Sequence, residues 1–366
     1  MKKQLKIAVL PGDGIGAEVT YACLDIFKIL NIPVELSIGE IGWTCWQNEA
    51  TPIPQRTWDL IYDSDVTLLG AVTSKPKREA EKEVAVEKRK NPPEYISPII
   101  QLRQGLDLYA NVRPCFNIKD QNNSFNLCII RENTEGLYAG FDYSSLPREM
   151  TPLLSSKKKW KNISPEDISC SLRLQTRSGL QRIFKFAFHY ADTYNLGQVT
   201  YADKPNVLRN SSAFAREIFE KVAEDYPHIK SDILNVDAVA LWLVRCPEKF
   251  GVIVAENMFG DILSDVGAAV MGGLGFAPSA NIGEKGVYYE PVHGSAPKIP
   301  INQANPCAMF LTIALLLEHQ GFKKQGARLR EAVKKIVSEN QFITYDVGGK
   351  SSTEEMAKAI LNECAY

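Results

Sequence analysis

The sequence lacks an excess of charge of either sign, a long apolar run and any close pairing of cysteines. Its 366 residues carry a formal net charge of −1, which gives no global electrostatic reason to bind nucleic acid or an anionic membrane. No apolar run reaches the roughly 20 residues that a helix needs to cross a bilayer. We therefore expect a small-molecule partner, with no nucleic acid and no membrane.

The eight cysteines are scattered, without a CxxC pair or the spacing of a zinc site. This pattern is typical of reduced thiols in a reducing compartment. Lys2 and Lys3 imitate the start of a signal peptide, but the apolar run that follows, residues 7–10, is too short for one. The sequence therefore predicts a cytoplasmic protein.

Composition and apolar patterning predict an α/β protein. The chain is 45% hydrophobic and 23% charged, as ordinary globular proteins are, and it is long enough for two domains. Short apolar runs alternate with longer amphipathic segments, which is the pattern of strands and helices in turn. The predicted strands include residues 5–10, 66–69, 127–130 and 251–255. The predicted helices include residues 17–30, 305–321, part of the charged segment 74–94, and a last helix that begins at the capping box of residues 352–355.

A glycine-rich loop follows the first predicted strand. Gly12-Asp13-Gly14-Ile15-Gly16 stands where a Rossmann protein carries its phosphate loop. The spacing is G-x-G-x-G instead of G-x-G-x-x-G, and Asp13 would repel a pyrophosphate. A tight strand-to-helix turn therefore explains this loop better than a Rossmann site does.

Two carboxylates, Asp261 and Asp265, lie four residues apart in a predicted helix. At about 3.6 residues per turn they share one face and can point at a single cation. Carboxylate oxygens suit Mg²⁺ or Mn²⁺. An isolated pair of this kind is usually two solvated acids, but an apolar stripe beside them indicates a packed helix: Ile262, Leu263, Val266 and Ala269.

Three arginines with apolar neighbours form a second set: Arg103, Arg113 and Arg131. Arg131 comes directly after an apolar strand, where a guanidinium needs an anionic partner. An internal salt bridge explains any one of them equally well. Three of them beside a metal site fit a substrate with several carboxylates, and Tyr138 with Lys204 would supply a proton-transfer pair.

The motifs resemble those of the metal-dependent β-decarboxylating dehydrogenases, the isocitrate/isopropylmalate dehydrogenase family that also includes homoisocitrate and tartrate dehydrogenases. They occur in order along nearly the whole chain: LPGDGIG at 10–16, LYANVRP at 108–114, RENTEGLY at 131–138, NMFGDILSD at 257–265 and EPVHGSAP at 290–297. The resemblance implies a two-domain α/β fold that is not Rossmann. Residues 1–108 and 272–366 would form a large, cofactor-binding domain, and residues 109–271 a smaller domain for dimerisation, metal and substrate, with a clasp near 136–177.

The resemblance also implies roles for site residues. The clamp on the substrate carboxylate would be Arg103, Arg113 and Arg131. The ligands of Mg²⁺ or Mn²⁺ would be Asp237, Asp261 and Asp265. Tyr138 and Lys204 would be the acid and base, and Lys204, Asn206 and Asp237 would come from the partner subunit of an obligate homodimer with shared active sites. The NAD(P) side of the site would consist of Thr73, Asn206, Glu290, His293, Gly294, Ser295, Ala296, Lys298 and Asn305.

The implied reaction is the oxidative decarboxylation of a 3-substituted (2R)-malate, a small 2-hydroxy di- or tricarboxylic acid. Lys204 would remove the proton of the C2 hydroxyl as hydride leaves for the nicotinamide, and Tyr138 would protonate the enolate that remains after CO₂ is lost. Ser97 could bond a distal carboxylate, whereas Ile99 and Ile100 offer an apolar wall. This favours 3-isopropylmalate or homoisocitrate, with isocitrate as the alternative.

The preference between NAD and NADP is divided in the same way. Lys298 stands where NAD-dependent relatives commonly carry an aspartate, and a lysine favours a 2′-phosphate. Ile299 replaces the tyrosine that NADP-dependent relatives often place next. We expect NAD with appreciable use of NADP.

A non-catalytic regulatory subunit of a hetero-oligomeric dehydrogenase is the competing class, and the intact tyrosine, lysine and aspartates argue against it.

Overall fold

The computed structural model describes residues 4–118 and 124–365. Its strands β1 to β12 are, in chain order, Leu5–Gly12, Val34–Ile38, Val66–Ala71, Ala110–Phe116, Asn126–Glu132, Asp142–Tyr143, Cys170–Ser171, Gln198–Asp203, Lys230–Asn235, Val252–Ala255, Pro278–Ile282 and Val287–Pro291. Its helices α1 to α14 are Ile15–Cys23, Ile26–Ile29, Trp43–Glu49, Gln55–Asp63, Lys77–Glu83, Pro98–Gly105, Thr151–Ser155, Arg177–Thr193, Arg209–Ala223, Val236–Arg245, Asn257–Met271, Cys307–His319, Lys323–Glu339 and Thr353–Ala365.

A mixed sheet of ten strands runs through the molecule in the order β2-β1-β3-β12-β11-β4-β5-β10-β8-β9. The first four strands are parallel to one another, and so are the last four. Strands β11 and β4 run antiparallel between these two blocks. The order is not that of a Rossmann sheet, as predicted, and the predicted α/β class is confirmed.

Helices cover both faces of the sheet. One face carries the largest apolar cluster, which joins α1, α8, α9, α12, α13 and α14 to alternate residues of the strands. The other face, here called the cleft face, carries two separate clusters. One contains α4 and α6, and the other contains α10 and α11. Helices α6 and α11 both supply side chains to the candidate site.

The predicted strands are confirmed, and so are most of the predicted helices. Helix α12 is apolar all round and almost wholly buried, as its sequence indicates. The capping box is present, because Ser352 N donates to the Glu355 carboxylate at 2.8 Å and Glu355 N donates to Ser352 Oγ at 3.2 Å. The single helix predicted over 17–30 is wrong. The segment is divided into α1 and α2. Near Leu24 the backbone bonding changes from the α-helical pattern to the tighter pattern of three residues, and Phe27 N donates to Leu24 O.

The glycine loop is a tight turn between β1 and α1, as predicted. Gly12 and Gly14 have φ angles of +77° and +56°, and a Cβ on Gly12 would lie 2.1 Å from Ala71 O. The Asp13 carboxylate accepts hydrogen bonds from the backbone N–H groups of Trp43 and Thr73, both at 2.8 Å. This acid therefore ties the start of α3 to the loop after β3.

Two further expectations concern membranes and disulfides. Within residues 4–118 and 124–365, no helix combines the length and the apolar character needed to cross a bilayer. The eight cysteines all lie in this part of the chain and are free thiols.

The domain boundaries and the clasp stay predictions. Within the predicted clasp, β6 and β7 form a separate antiparallel ribbon.

Candidate active site

Helix α11 presents two carboxylates on the cleft face. It begins after β10, where Glu256 caps it by accepting a hydrogen bond from Phe259 N at 3.3 Å. Asp261 and Asp265 lie one turn apart, and their Oδ1 atoms are 4.0 and 3.2 Å from nitrogens of one guanidinium, that of Arg113. The prediction that these two acids share one helix face is confirmed.

Arg113 is held in a fixed orientation in front of these acids. It lies on β4 and is buried. Its Nε donates to Asn111 Oδ1 at 2.8 Å, and its Nη1 donates to Ser264 Oγ at 2.7 Å. The neutral partners anchor the guanidinium, so its charge remains directed at Asp265 and at the space beside it.

Arg131 lies on the neighbouring strand β5 and is almost fully buried. It forms an ion pair with Asp261, and its Nε and Nη2 donate to Asn257 Oδ1 at 2.9 and 2.7 Å. Burial, together with repulsion from Arg103, lowers the pKa of Arg131 to about 10, so it is charged at neutral pH. Helix α11 can approach this closely because residue 260 is glycine: a Cβ there would lie 2.7 Å from Arg131 Cβ.

Tyr138 joins the same cluster from the loop after β5. Its hydroxyl donates to Asp261 Oδ2 at 2.9 Å, and the Arg131 guanidinium lies 5.2 Å from its ring centre. Burial and the neighbouring Asp261 carboxylate raise the pKa of Tyr138. The phenol is therefore protonated at neutral pH and can donate a proton.

A cavity of about 280 Å³ adjoins the cluster. It is lined by Ile100, Arg103, Gln104, Asp107, Asn133, Thr134 and Tyr138. Arg103 Nε and Asn133 Oδ1 are buried and have no hydrogen-bond partner among the residues that the structure describes. A polar ligand with both acceptor and donor groups would satisfy them.

The residues expected beside the C3 substituent of the substrate lie at the start of helix α6, and they face different surroundings. Ser97 stands at its N-cap, and Ile100 is exposed and lines the cavity. Ile99 instead packs against the apolar cluster that contains Leu102 and Leu106. The helical repeat explains this, because residues 99, 102 and 106 share one side and residues 100, 103 and 107 share another. Of the two isoleucines, Ile99 therefore faces the apolar cluster and Ile100 faces the cavity, and their roles toward a substrate stay predictions.

Lys204 and Asp237 form a separate pair. Lys204 follows β8 and Asp237 opens α10 after the adjacent parallel strand β9, so both lie at the same edge of the sheet. The ammonium is ion-paired with the carboxylate, and this hydrogen bond lowers the pKa of Asp237. Within the described residues, no group of three or more acidic, histidine or cysteine side chains is placed to hold a metal. Of the three acids expected to bind the metal, Asp261 and Asp265 therefore lie together in one chain, and Asp237 does not join them.

Two of the residues expected on the cofactor side, Thr73 and Ser295, contact the glycine loop through Asp13 and Ile15. Thr73 Oγ1 and Ser295 Oγ are 2.7 Å apart. His293 Nδ1 donates to the carbonyl of its neighbour Gly294 at 3.1 Å, and burial lowers the pKa of His293, so its ring is neutral at pH 7. Asn305 Nδ2 donates to Asp346 Oδ2 at 3.0 Å.

The remaining residues of that set are scattered. Glu290 lies on β12 and accepts a hydrogen bond from Asn281 at 2.9 Å. Ala296 has a φ of +39°, and Lys298 is exposed beyond it. Asn206 is exposed in the turn after Lys204 and has no described contact with the glycine loop.

Several supporting residues were not singled out from the sequence. Asn257 and Ser264 orient the two buried arginines, and Gln104 lines the cavity. Helical spacing offered a signal for two of them, because Asn257 precedes Asp261 by four residues and Ser264 follows it by three. Asn111 belongs to the LYANVRP motif, but the sequence does not predict that its side chain accepts a hydrogen bond from Arg113, two residues further along the same strand.

Known proteins with similar sequences cover nearly all of this chain. The model of the isocitrate/isopropylmalate dehydrogenase family matches residues 6–360. Homoisocitrate dehydrogenase of Methanocaldococcus jannaschii is 40% identical over 98% of this chain and 97% of its own length. The 3-isopropylmalate dehydrogenase of Methanothermobacter thermautotrophicus is 38% identical over 98% of both. Protein DlpA of Legionella pneumophila is 60% identical over 99% of this chain, which spans only 59% of the length of DlpA.

Solved structures agree with these matches. The crystal structure of isocitrate dehydrogenase from Methylococcus capsulatus superimposes with a TM-score of 0.84 at 33% identity, over 99% of this chain and all of that one. A β-decarboxylating dehydrogenase from Thermococcus kodakarensis gives a TM-score of 0.79 at 33% identity, over 99% of this chain and 96% of its own. The chain belongs to the isocitrate/isopropylmalate dehydrogenase family.

Proposed function

We propose that this chain is an NAD(P)-dependent dehydrogenase that oxidises and decarboxylates a 3-substituted (2R)-malate. The observation that supports this most strongly is the convergence of Arg113, Arg131 and Tyr138 on Asp261 at the edge of a polar cavity. Two buried guanidinium groups beside a cavity suit a dicarboxylic acid, because each can bind a carboxylate in bidentate fashion.

The donor set fits a divalent cation. Asp261 and Asp265 offer hard oxygen ligands on one helix face, as Mg²⁺ and Mn²⁺ require. When bound, the cation supplies Lewis-acid polarisation of the substrate hydroxyl, and the nicotinamide supplies the hydride acceptor. In the proposed mechanism Arg103, Arg113 and Arg131 orient the acid through its carboxylate.

Proton transfer is assigned to two side chains. Lys204 accepts the proton of the C2 hydroxyl as the neutral amine and becomes an ammonium, and Tyr138, whose raised pKa keeps it protonated, gives a proton to C3 after CO₂ has left. Lys204 pairs with Asp237, and no described contact joins it to the Asp261 cluster of the same chain. We therefore propose that Lys204, Asp237 and Asn206 complete the site of a partner subunit, in a homodimer with shared active sites.

An exposed apolar surface supports a dimer. Leu241 and Val244 on α10 and Ile262 on α11 are each more than half exposed, and Trp242 lies beside them. The two helices pack against each other, and we infer that these side chains form one patch next to Asp237 and Asp261. A patch of this kind on a globular protein marks an interaction site.

Replacement of Leu241 by glutamate is expected to convert the dimer into monomers, because a charge would be buried at the interface without a partner. The monomer would also be inactive, since its sites would lack the partner's lysine. Light scattering after size-exclusion chromatography measures the mass. Ile301→Glu, at another exposed apolar position, is the control and should stay dimeric. A dimeric, fully active Leu241→Glu variant would contradict the proposed interface.

The C3 pocket favours an apolar or extended substituent. Ile100 is the apolar side chain that lines the cavity, and Gln104 lies one turn further along the same helix face. This supports 3-isopropylmalate or homoisocitrate over isocitrate, for which only Ser97 remains as a donor to the distal carboxylate. For the cofactor, Lys298 without a neighbouring tyrosine supports NAD with appreciable use of NADP.

The experiment that tests this proposal measures NAD(P)H formation at 340 nm with Mg²⁺ or Mn²⁺. The acids are 3-isopropylmalate, homoisocitrate, isocitrate, tartrate and malate, each with NAD and with NADP. We expect 3-isopropylmalate or homoisocitrate to give the highest kcat/KM, and EDTA to abolish the rate. A preference for isocitrate would overturn the interpretation of Ile100. No turnover with any acid would favour the regulatory-subunit alternative.

A further inference from the structure

Arg173 lies between two buried carboxylates that belong to different elements of the candidate site. Its Nη2 is 3.3 Å from Asp203 Oδ1, and its Nε is 3.6 Å from Glu256 Oε2. The two acid side chains are 1% and 2% exposed. Charges buried to this degree require a cation close by, and Arg173 is the ion-pair partner of both.

Each of these acids adjoins a group proposed for catalysis. Asp203 is the last residue of β8, directly before Lys204. Glu256 caps the helix that carries Asp261. The Arg173 guanidinium also lies 5.5 Å from the ring centre of Phe259, in the first turn of that helix. One side chain therefore contacts the element that presents the proposed base and the element that presents the proposed metal ligands.

The backbone beside Arg173 reaches a third element. Leu174 and Gly136 exchange two backbone hydrogen bonds, of 2.8 and 3.2 Å, and Gly136 precedes Tyr138 by two residues. A Cβ on Gly136 would lie 2.5 Å from Glu256 Oε2, so the Tyr138 segment can rest against this acid only because residue 136 is glycine. The segments that carry the base, the acid and the metal ligands all meet at this point.

We propose that Arg173 is a positioning residue, which fixes the end of β8 before Lys204 relative to the N-terminus of α11 before Asp261. This rests on the proposed dehydrogenase function. An arginine suits the position because it holds a different nitrogen near each acid, Nη2 at 3.3 Å from Asp203 and Nε at 3.6 Å from Glu256, which a lysine ammonium cannot do with the same geometry. If Lys204 serves the partner's site and Asp261 its own, Arg173 also connects the two active sites of the dimer.

The test is a double variant, Arg173→Met with Glu256→Gln. It removes one positive and one negative charge, so the net charge of the cluster is unchanged, and the only acid that loses its ion-pair partner is Asp203. We expect kcat to fall about 10²-fold, because displacement of catalytic groups by about 1 Å costs this much. The KM for the acid should change by less than about threefold, since the arginine clamp is untouched.

Three further variants identify the source of the effect. Arg177→Met removes an exposed arginine four residues away, paired with Glu217 at the surface, and should match the wild type. Glu256→Gln alone measures how much of the fall in kcat comes from the altered N-cap of α11. Arg173→Lys keeps the positive charge but loses the planar guanidinium with its several nitrogens. It should recover only part of the kcat that the double variant loses. Circular dichroism melting verifies that every variant is folded.

Two outcomes would overturn the proposal in an active enzyme: an unchanged kcat in the folded double variant, or a wild-type kcat in Arg173→Lys. If the wild-type chain turns over no acid, the proposed function fails. Amide hydrogen exchange, compared between the double variant and Glu256→Gln alone, then tests the positioning role of Arg173 independently of activity. Faster exchange confined to Phe259 N–H and to Val207 and Leu208, whose N–H groups donate to Lys204 O, would support the positioning role. Unchanged exchange there would refute it.

Discussion

Replacement of Lys204 by methionine is expected to lower kcat by about 10³-fold, within the range that loss of a general acid–base group produces. Methionine keeps most of the length of the side chain and removes the amine, so the proton of the C2 hydroxyl has no acceptor at this position. The ammonium is partly exposed and its partner Asp237 is well exposed, so the fold should tolerate the change. The measurement is kcat with the best acid of the substrate panel.

The control for this variant is Lys335→Met, which removes an exposed lysine paired with Glu363 on the far side of the sheet. It should leave kcat unchanged. The Lys204→Met enzyme should retain its dimeric mass, because Lys204 lies outside the apolar patch on α10 and α11. A variant that keeps more than about a tenth of the wild-type kcat would contradict the assignment of Lys204 as the base, since a tenfold loss is only 1.4 kcal/mol.

Local rules were sufficient for several features of the fold and the site. The i, i+4 spacing of Asp261 and Asp265 predicted their common face, and the capping box predicted the start of α14. The glycine loop was recognised as a turn because its spacing was wrong for a phosphate site. These features depend on residues close together in the chain, where helix periodicity and turn chemistry determine the structure.

Other features depend on packing between distant segments. The sequence could not distinguish Ile99 from Ile100, because which side of α6 faces the sheet is decided by contacts with β1 and β3. The division of the helix near Leu24 follows a local change in hydrogen bonding that apolar spacing does not reveal. Arg173 was missed for the same reason: its two acids are 30 and 83 residues further along the chain.

Asp261→Asn is the second variant expected to have a large effect. Asparagine keeps the shape and one oxygen acceptor but loses the charge that a divalent cation requires. Loss of Lewis-acid stabilisation costs several kcal/mol, or about 10³-fold in kcat. Mn²⁺ binding, followed by electron paramagnetic resonance, should weaken in parallel. Asp59→Asn, at an exposed acid that accepts a hydrogen bond from Gln55, is the control and should bind Mn²⁺ as the wild type does.

Coexpression of the two inactive chains, Lys204→Met and Asp261→Asn, tests whether the active sites are shared. In a shared arrangement, each site combines Asp261 of one subunit with Lys204 of the other. A mixed dimer then contains one site with both changes and one with neither. Random pairing makes half of the dimers mixed, so about a quarter of the wild-type activity should return. If each chain instead carried a whole site, every site would hold one change and no activity would return, because no exchange of subunits could bring an intact Lys204 to an intact Asp261.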